Sequence, residues 1–343
     1  MKIIYKKFNQ LQQAAIVPLL LMMLFFAMPA QTMGGVISGT FTTLANCPVT
    51  LSAMAVDPAT GYFYAVQDQN SGPAYYRYSA ATNTWTTLAA PPHETGNNAG
   101  ATFLNGKIYI SYTTYADLAV YTIATDSWTT ITGPSGGTYS GNISNDGTDI
   151  YVCGYNEFGN GFWKYIIATN TWVSLATIDW DEDNSWGGLS YNNGYFYHDR
   201  GDGNSDFDRY SIATDSWEIL PNIPDGAVLG GAIYDAYYYC MGDYDGTNLY
   251  SYDLGAGEWN NTLTLPWEID DATICVYNGS LYIIQGEAGI GFVKFTPNNP
   301  ILANIEPAAL TYTLNVSGAV NVTSTITASQ NLGTNFASAT VTV

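Results

Sequence analysis

The sequence predicts an all-β fold, a six-bladed β-propeller with four antiparallel strands per blade and a short C-terminal β segment. Two observations predict it. An eight-residue phrase, Tyr-x-x-Ala-Thr-(Asn or Asp)-(Thr or Ser)-Trp, ends at Trp85, Trp128, Trp172 and Trp217, with a weaker copy at Tyr252–Trp259. These tryptophans lie 43, 44, 45 and 42 residues apart, the period expected of one propeller blade per repeat. About 20 residues after each Trp a second turn signal follows, seen as Asn105-Gly106, Asn193-Gly194 and Asn278-Gly279 between apolar runs.

Each phrase reads as a hairpin. An aromatic ends one strand, Asn or Asp tolerates the left-handed turn and caps it with its own side chain, and Trp opens the antiparallel partner. The Trp is expected to be buried between neighbouring blades. Asn-Gly between alternating apolar residues marks the other hairpin. Two hairpins per period make one four-stranded antiparallel sheet, and sheets repeated at this spacing are expected to arrange radially.

With those residues in view, the chain resembles the kelch-repeat propellers, whose pattern sets a Tyr and then a Trp about seven residues later. The glycine pair of that pattern is reduced here to single glycines after the second strands, at Gly154, Gly201, Gly242 and Gly286. The resemblance spans roughly residues 36–305. It implies the fold, whereas kelch propellers serve many unrelated functions, so activity has to be argued from the site.

Taken in order, residues 1–30 carry Lys2, Lys6 and Lys7, an apolar run from Ala14 to Phe26, and Ala27-Met28-Pro29-Ala30. This is the pattern of a secretory signal peptide cut near Ala30, and the run is short for a membrane span. Leu44-Ala45-Asn46-Cys47 looks like a lipoprotein box but stands too far from that run. The chain is therefore expected to be secreted or displayed at the cell surface, with no membrane span once the leader is removed. Removal would take three of the nine basic residues and leave 29 acidic ones, for a net charge of −23. Nucleic acid is excluded as a partner by that charge.

Past the leader, Phe41 stands 44 residues before Trp85, so Gly39–Leu44 reads as an outer strand with Phe in place of Trp. Three further strands near Asp271–Val276, Ser280–Gln285 and Gly291–Phe295 lack a fourth, which the N-terminal strand would supply. Phe295–Leu302 also fits the phrase with Leu for Trp, leaving closure by residues 301–305 open. Either closure removes free sheet edges and gives a monomeric propeller. Residues 306–343 are rich in Thr, Val, Ala and Ser and predict strands, as at the start of an immunoglobulin-like module.

The chemistry-bearing residues are few. Cys153 and Cys240 on second strands and Cys275 on an inner strand read as free buried thiols. His93 and His198 are the only histidines. The galactose oxidase branch of the kelch-like propellers implies a copper site of two His and two Tyr with a Tyr-Cys crosslink, but no local motif joins these two His to each other or to a Cys. A loop His and a strand His are the simpler reading. No nucleophile elbow, zinc-protease helix or phosphate loop is present.

The connections between second and third strands, and from each Trp strand to the next blade, are the longer ones and share one face. That face carries most of the chain's 29 acidic residues, interleaved with aromatics. The expected ligand-binding set is Trp180, Trp186, Tyr155, Asp202, Arg200, Tyr244 and Trp267. Asp179, Asp181 and Asp183 begin like a calcium loop, yet Asn184 and Ser190 stand where an EF-hand needs Gly and Glu, so only a looser Ca2+ site remains open there. No cofactor is required by any motif. The function expected is a module that binds a glycan or a protein through this acidic, aromatic face. The alternative is an exported carbohydrate-active enzyme, a lyase, hydrolase or mutarotase, on the same propeller.

Overall fold

The computed structural model describes residues 37–298, apart from short stretches at 69–71, 96–98, 113–114, 116, 135–138, 157–158, 178–186, 202–203 and 243–245, together with a strand pair near the C terminus. Residues 1–30, which the sequence pattern reads as a leader, lie outside the described residues. Strand β1 spans Ser38–Thr43. The first complete blade is β2 (Leu51–Asp57), β3 (Tyr62–Gln67), β4 (Tyr75–Ser79) and β5 (Thr84–Thr87), paired in that order. The second is β6 (Gly100–Leu104), β7 (Lys107–Ser111), β8 (Leu118–Thr122) and β9 (Ser127–Ile131). The third is β10 (Tyr139–Asn145), β11 (Ile150–Asn156), β12 (Gly159–Ile166) and β13 (Thr171–Ser174). The fourth is β14 (Leu189–Asn192), β15 (Tyr195–Asp199), β16 (Phe207–Ser211) and β17 (Ser216–Ile219). The fifth is β18 (Ala227–Tyr234), β19 (Tyr237–Gly242), β20 (Gly246–Asp253) and β21 (Glu258–Ile269). The sixth consists of β22 (Thr273–Tyr277), β23 (Ser280–Ile284) and β24 (Phe292–Asn298), and β1 pairs with β24 to complete it. Strands β25 (Ile326–Leu332) and β26 (Asn335–Val341) form a separate antiparallel pair.

The turns follow from their residues. Asn83, Asp126, Asn170 and Asp215 take φ between 47° and 54°, the left-handed region that short polar side chains tolerate. Asn105-Gly106, Asn193-Gly194 and Asn278-Gly279 have positive φ at both positions, as a two-residue hairpin of matching twist demands. In the weak fifth phrase Gly257 supplies the positive φ instead.

The phrase does more than turn the chain. The Tyr78 hydroxyl donates to Asn83 Oδ1 at 2.8 Å, and the same oxygen accepts the Ala45 amide at 2.8 Å. The Trp85 indole then donates to the Ala45 carbonyl at 3.1 Å. Both backbone groups of one linker residue in the preceding blade are thereby held. Trp128 grips Ala89, Trp172 grips Thr132, Trp217 grips Ala176 and Trp259 grips Pro221, at 2.7–2.8 Å, each four residues beyond the preceding Trp or its equivalent. The phrase is thus a latch between consecutive blades. Its Tyr is the buried member: Tyr78, Tyr121 and Tyr210 are 1% exposed. The Trp rings are half-buried rather than sealed, because their N–H must reach a linker at the rim.

Closure is N-terminal. Phe41 pairs with Phe295 in the register that Tyr78 shares with Trp85, and their rings meet at 4.7 Å. Both polar members of the latch are absent at this seam, since neither Phe carries a hydroxyl or an indole N–H. The closing seam is held by ring contact and by the β1–β24 ladder. All four cysteines are free and buried. Burial pushes the thiols of Cys47 and Cys275 up to about 12, so they pack as hydrophobes.

Candidate functional site

The first strand of each blade is innermost, and β2, β6, β10, β14, β18 and β22 contact one another in sequence around the axis. They enclose a channel of about 400 Å³. One end opens among the β-hairpin turns. The other opens on the longer connections, the face from which a ligand site was expected.

On that face the second strand of the fourth blade leads into a buried polar group, His198, Asp199 and Arg200. Asp199, 0% exposed at the end of β15, accepts the Gly188 amide at 2.9 Å and the Tyr238 hydroxyl from the fifth blade. Glycine is required at 188 and 231: a Cβ on Gly188 would lie 2.2 Å from the Gly231 nitrogen, and one on Gly231 would lie 1.8 Å from the Tyr238 oxygen. Desolvation raises the Asp199 pKa to about 6 against the pull of the Tyr238 hydroxyl and the Gly188 and Asp199 backbone amides. His198, also 0% exposed, receives the Asn142 side-chain amide at 3.2 Å. Burial, then Arg200, holds its pKa down at about 3. His198 and Asp199 therefore tie the third, fourth and fifth blades together rather than facing solvent.

Arg200 is 7% exposed and ion-paired with Asp206. Trp267 is half-buried near the end of β21, beside the segment Gln285–Gly291. Gly291 admits its ring, since a Cβ there would come 2.8 Å from the indole nitrogen. Gln285 braces this corner, donating to the Glu268 carbonyl at 2.9 Å and accepting the Gly291 amide at 3.0 Å. Tyr155 lies at the loop-face end of β11. Trp180, Trp186, Asp202, Tyr244 and the calcium-loop carboxylates Asp179, Asp181 and Asp183 lie outside the described residues. Among the described residues no group of three or more His, Cys, Asp or Glu is arranged to hold a metal ion. His93 stacks on Tyr115 at 4.2 Å while His198 bonds Asn142, so the two histidines serve different neighbours.

Glu94, Asp225 and Glu268 are exposed on this face, and Asp206, Asp270 and Glu287 are partly so. The other basic residues of the described blades sit elsewhere. Arg77 lies over Tyr62 at 4.4 Å, Lys164 pairs with Asp149 at 2.8 Å, Arg209 pairs with Glu218 at 2.7 Å, Lys107 opens β7 at a hairpin turn, and Lys294 lies within β24. Among the described residues the acids of this face thus share one cation, Arg200, already engaged with Asp206. Of the expected ligand-binding set, Arg200, Trp267 and Tyr155 fall among the described residues, while Asp199, next to Arg200 in sequence, is a buried acid rather than a solvated one. The signal that separated it was Gly187-Gly188, small residues opening the facing strand.

These features define a β-propeller of six four-stranded blades, closed by its N-terminal strand around an axial channel. No family model matches the sequence, and no curated protein matches it. The chain is similar to the structure of YjhT, with a TM-score of 0.61 at 16% identity over 75% of this chain and 100% of that one. It is also similar to a structural-genomics protein of unknown function from Bacteroides thetaiotaomicron, at 0.59 and 15% over 76% of each chain. The luciferin-regenerating enzyme matches at 0.58 and 10%, over 76% of this chain and 95% of that one. At such identities the likeness is one of fold alone. Among the described residues no helix is long and apolar enough to cross a membrane.

Proposed function

We propose that this is an exported, kelch-type propeller that works as an interaction module and takes a cationic protein segment on its long-loop face. The observation that carries the reading is the uncompensated charge there. Glu94, Asp225 and Glu268 are exposed on that face, while the one described cation of the face, Arg200, is spent on Asp206. Like charges held on a rigid ring repel, and a Lys- or Arg-rich partner relieves that repulsion and is steered toward it. An acidic glycan would meet the same field with the wrong sign. A catalytic reading is disfavoured because His198 and Asp199 are sealed in the blade seams. Export rests on the Lys2–Lys7 and Ala14–Phe26 leader pattern.

The test is binding of an oligolysine peptide and an oligoglutamate peptide to the mature chain at low and physiological salt, repeated with Glu94→Gln combined with Glu268→Gln. The cationic peptide is expected to bind, to weaken as salt rises, and to bind the double variant several-fold more weakly. Absence of binding at low salt, or equal affinity for the variant, would defeat the proposal.

A further inference from the structure

The axial channel differs in chemistry from the face around its mouth. The chain holds 29 acidic residues, yet among the described residues no Asp, Glu, Lys, Arg or His lines the channel. Its walls carry hydroxyls and amides, among them Ser52, Thr102, Asn145, Ser190 and Thr273, with the aromatic Phe103 and Tyr191 toward the hairpin end. The inner strands pair only outward, so on the channel side their edges present backbone N–H and C=O groups with no sheet partner. Some of the side chains are committed to framing the wall. Asn145 donates to Thr102 Oγ1 at 2.7 Å, and Ser190 donates to the Gly231 carbonyl at 2.7 Å. Ser52 is different: it is 1% exposed, its hydroxyl has no hydrogen-bond partner, and it lines the channel at the bulge where β2 breaks register between Leu51 and Ala53.

From this we infer a second binding site: the channel takes a neutral, hydroxyl-rich small molecule of about hexose size. The volume of about 400 Å³ suits such a ligand. Hydroxyls both donate and accept, so they match a wall of mixed backbone edges and side-chain hydroxyls, including the Ser52 hydroxyl. Phe103 and Tyr191 offer apolar faces for the carbon side of a sugar ring. A charged ligand would leave water for a wall that supplies no counter-charge, and the cost of that desolvation excludes it. The inference is independent of the loop-face proposal, because neither the residues nor the ligand charge are shared.

The experiment uses the mature chain with D-glucose and myo-inositol as neutral probes, and glucuronate and glucosamine as charged probes of the same size. Saturation-transfer NMR and calorimetry read binding to the parent, Thr273→Trp, which fills the channel, and Ser52→Ala, which removes the unpartnered hydroxyl with little change of volume. Circular dichroism and thermal unfolding establish that each variant is folded. At least one neutral probe is expected to bind the parent, at least tenfold more weakly to Thr273→Trp and a few-fold more weakly to Ser52→Ala, with neither charged probe bound. The proposal is overturned if no neutral probe binds, if a charged probe binds as well as its neutral counterpart, or if both folded variants bind like the parent. Should Thr273→Trp fail to fold, the Ser52→Ala comparison and the charge comparison decide the question.

Discussion

Replacing Trp128 tests the latch that joins the blades. Its indole donates to the Ala89 carbonyl at 2.8 Å and packs against Tyr75 at 4.8 Å and Tyr121 at 5.1 Å. Trp128→Phe keeps most of the ring contact and removes the hydrogen bond, so the loss should be about 1 kcal/mol, the net worth of one such bond. Trp128→Ala removes the ring as well. A fully buried Trp would cost about 3–5 kcal/mol, and a half-buried one should fall near the lower end, about 3 kcal/mol. The assay is urea unfolding followed by circular dichroism, with the midpoint and slope fitted for each variant. The expected order is parent, then Phe, then Ala, with the slope unchanged. If the Phe variant matched the parent and the Ala variant lost less than about 1 kcal/mol, the phrase would be a turn signal only, and the blades would be held by their inner strands.

Other outcomes follow from the same structure. The closing seam, where Phe41 and Phe295 replace the polar latch, should open first, so amides of Ser38–Thr43 are expected to exchange faster than those of Ser127–Ile131 in native-state hydrogen exchange. Equal protection would refute it. Deleting residues 35–45 should bare the β24 edge and cause aggregation, read by light scattering; a monomeric product of parental stability would contradict closure by β1. Asp199 has its folded pKa raised from 3.8 to about 6, so the folded state holds that proton more tightly and this group's contribution falls as pH rises from about 4 to about 6. Asp199→Asn should remove that slope, gaining stability relative to the parent between pH 4 and pH 7 on the order of 2 kcal/mol. Parallel pH profiles for the two proteins would show that the carboxylate is not desolvated.

The sequence by itself determined the blade. The strand ends, the left-handed Asn and Asp, and the Asn-Gly hairpins are set by contacts within a few residues, so they are written as a local pattern that returns every 42 to 45 residues. It even marked Phe41 as the missing outer-strand aromatic, though it left closure by residues 301–305 open, because Phe295 pairs as well with either neighbour on pattern alone. The tertiary structure decided that choice through the β1–β24 register. It also decided which polar residues face water. Asp199 and Glu268 look alike in sequence, but Gly188 and Gly231 let the fourth and fifth blades close over the first, while the second stays exposed. The uncharged channel was equally illegible, since its wall is assembled from six strands whose members are tens of residues apart and meet only when the ring is complete.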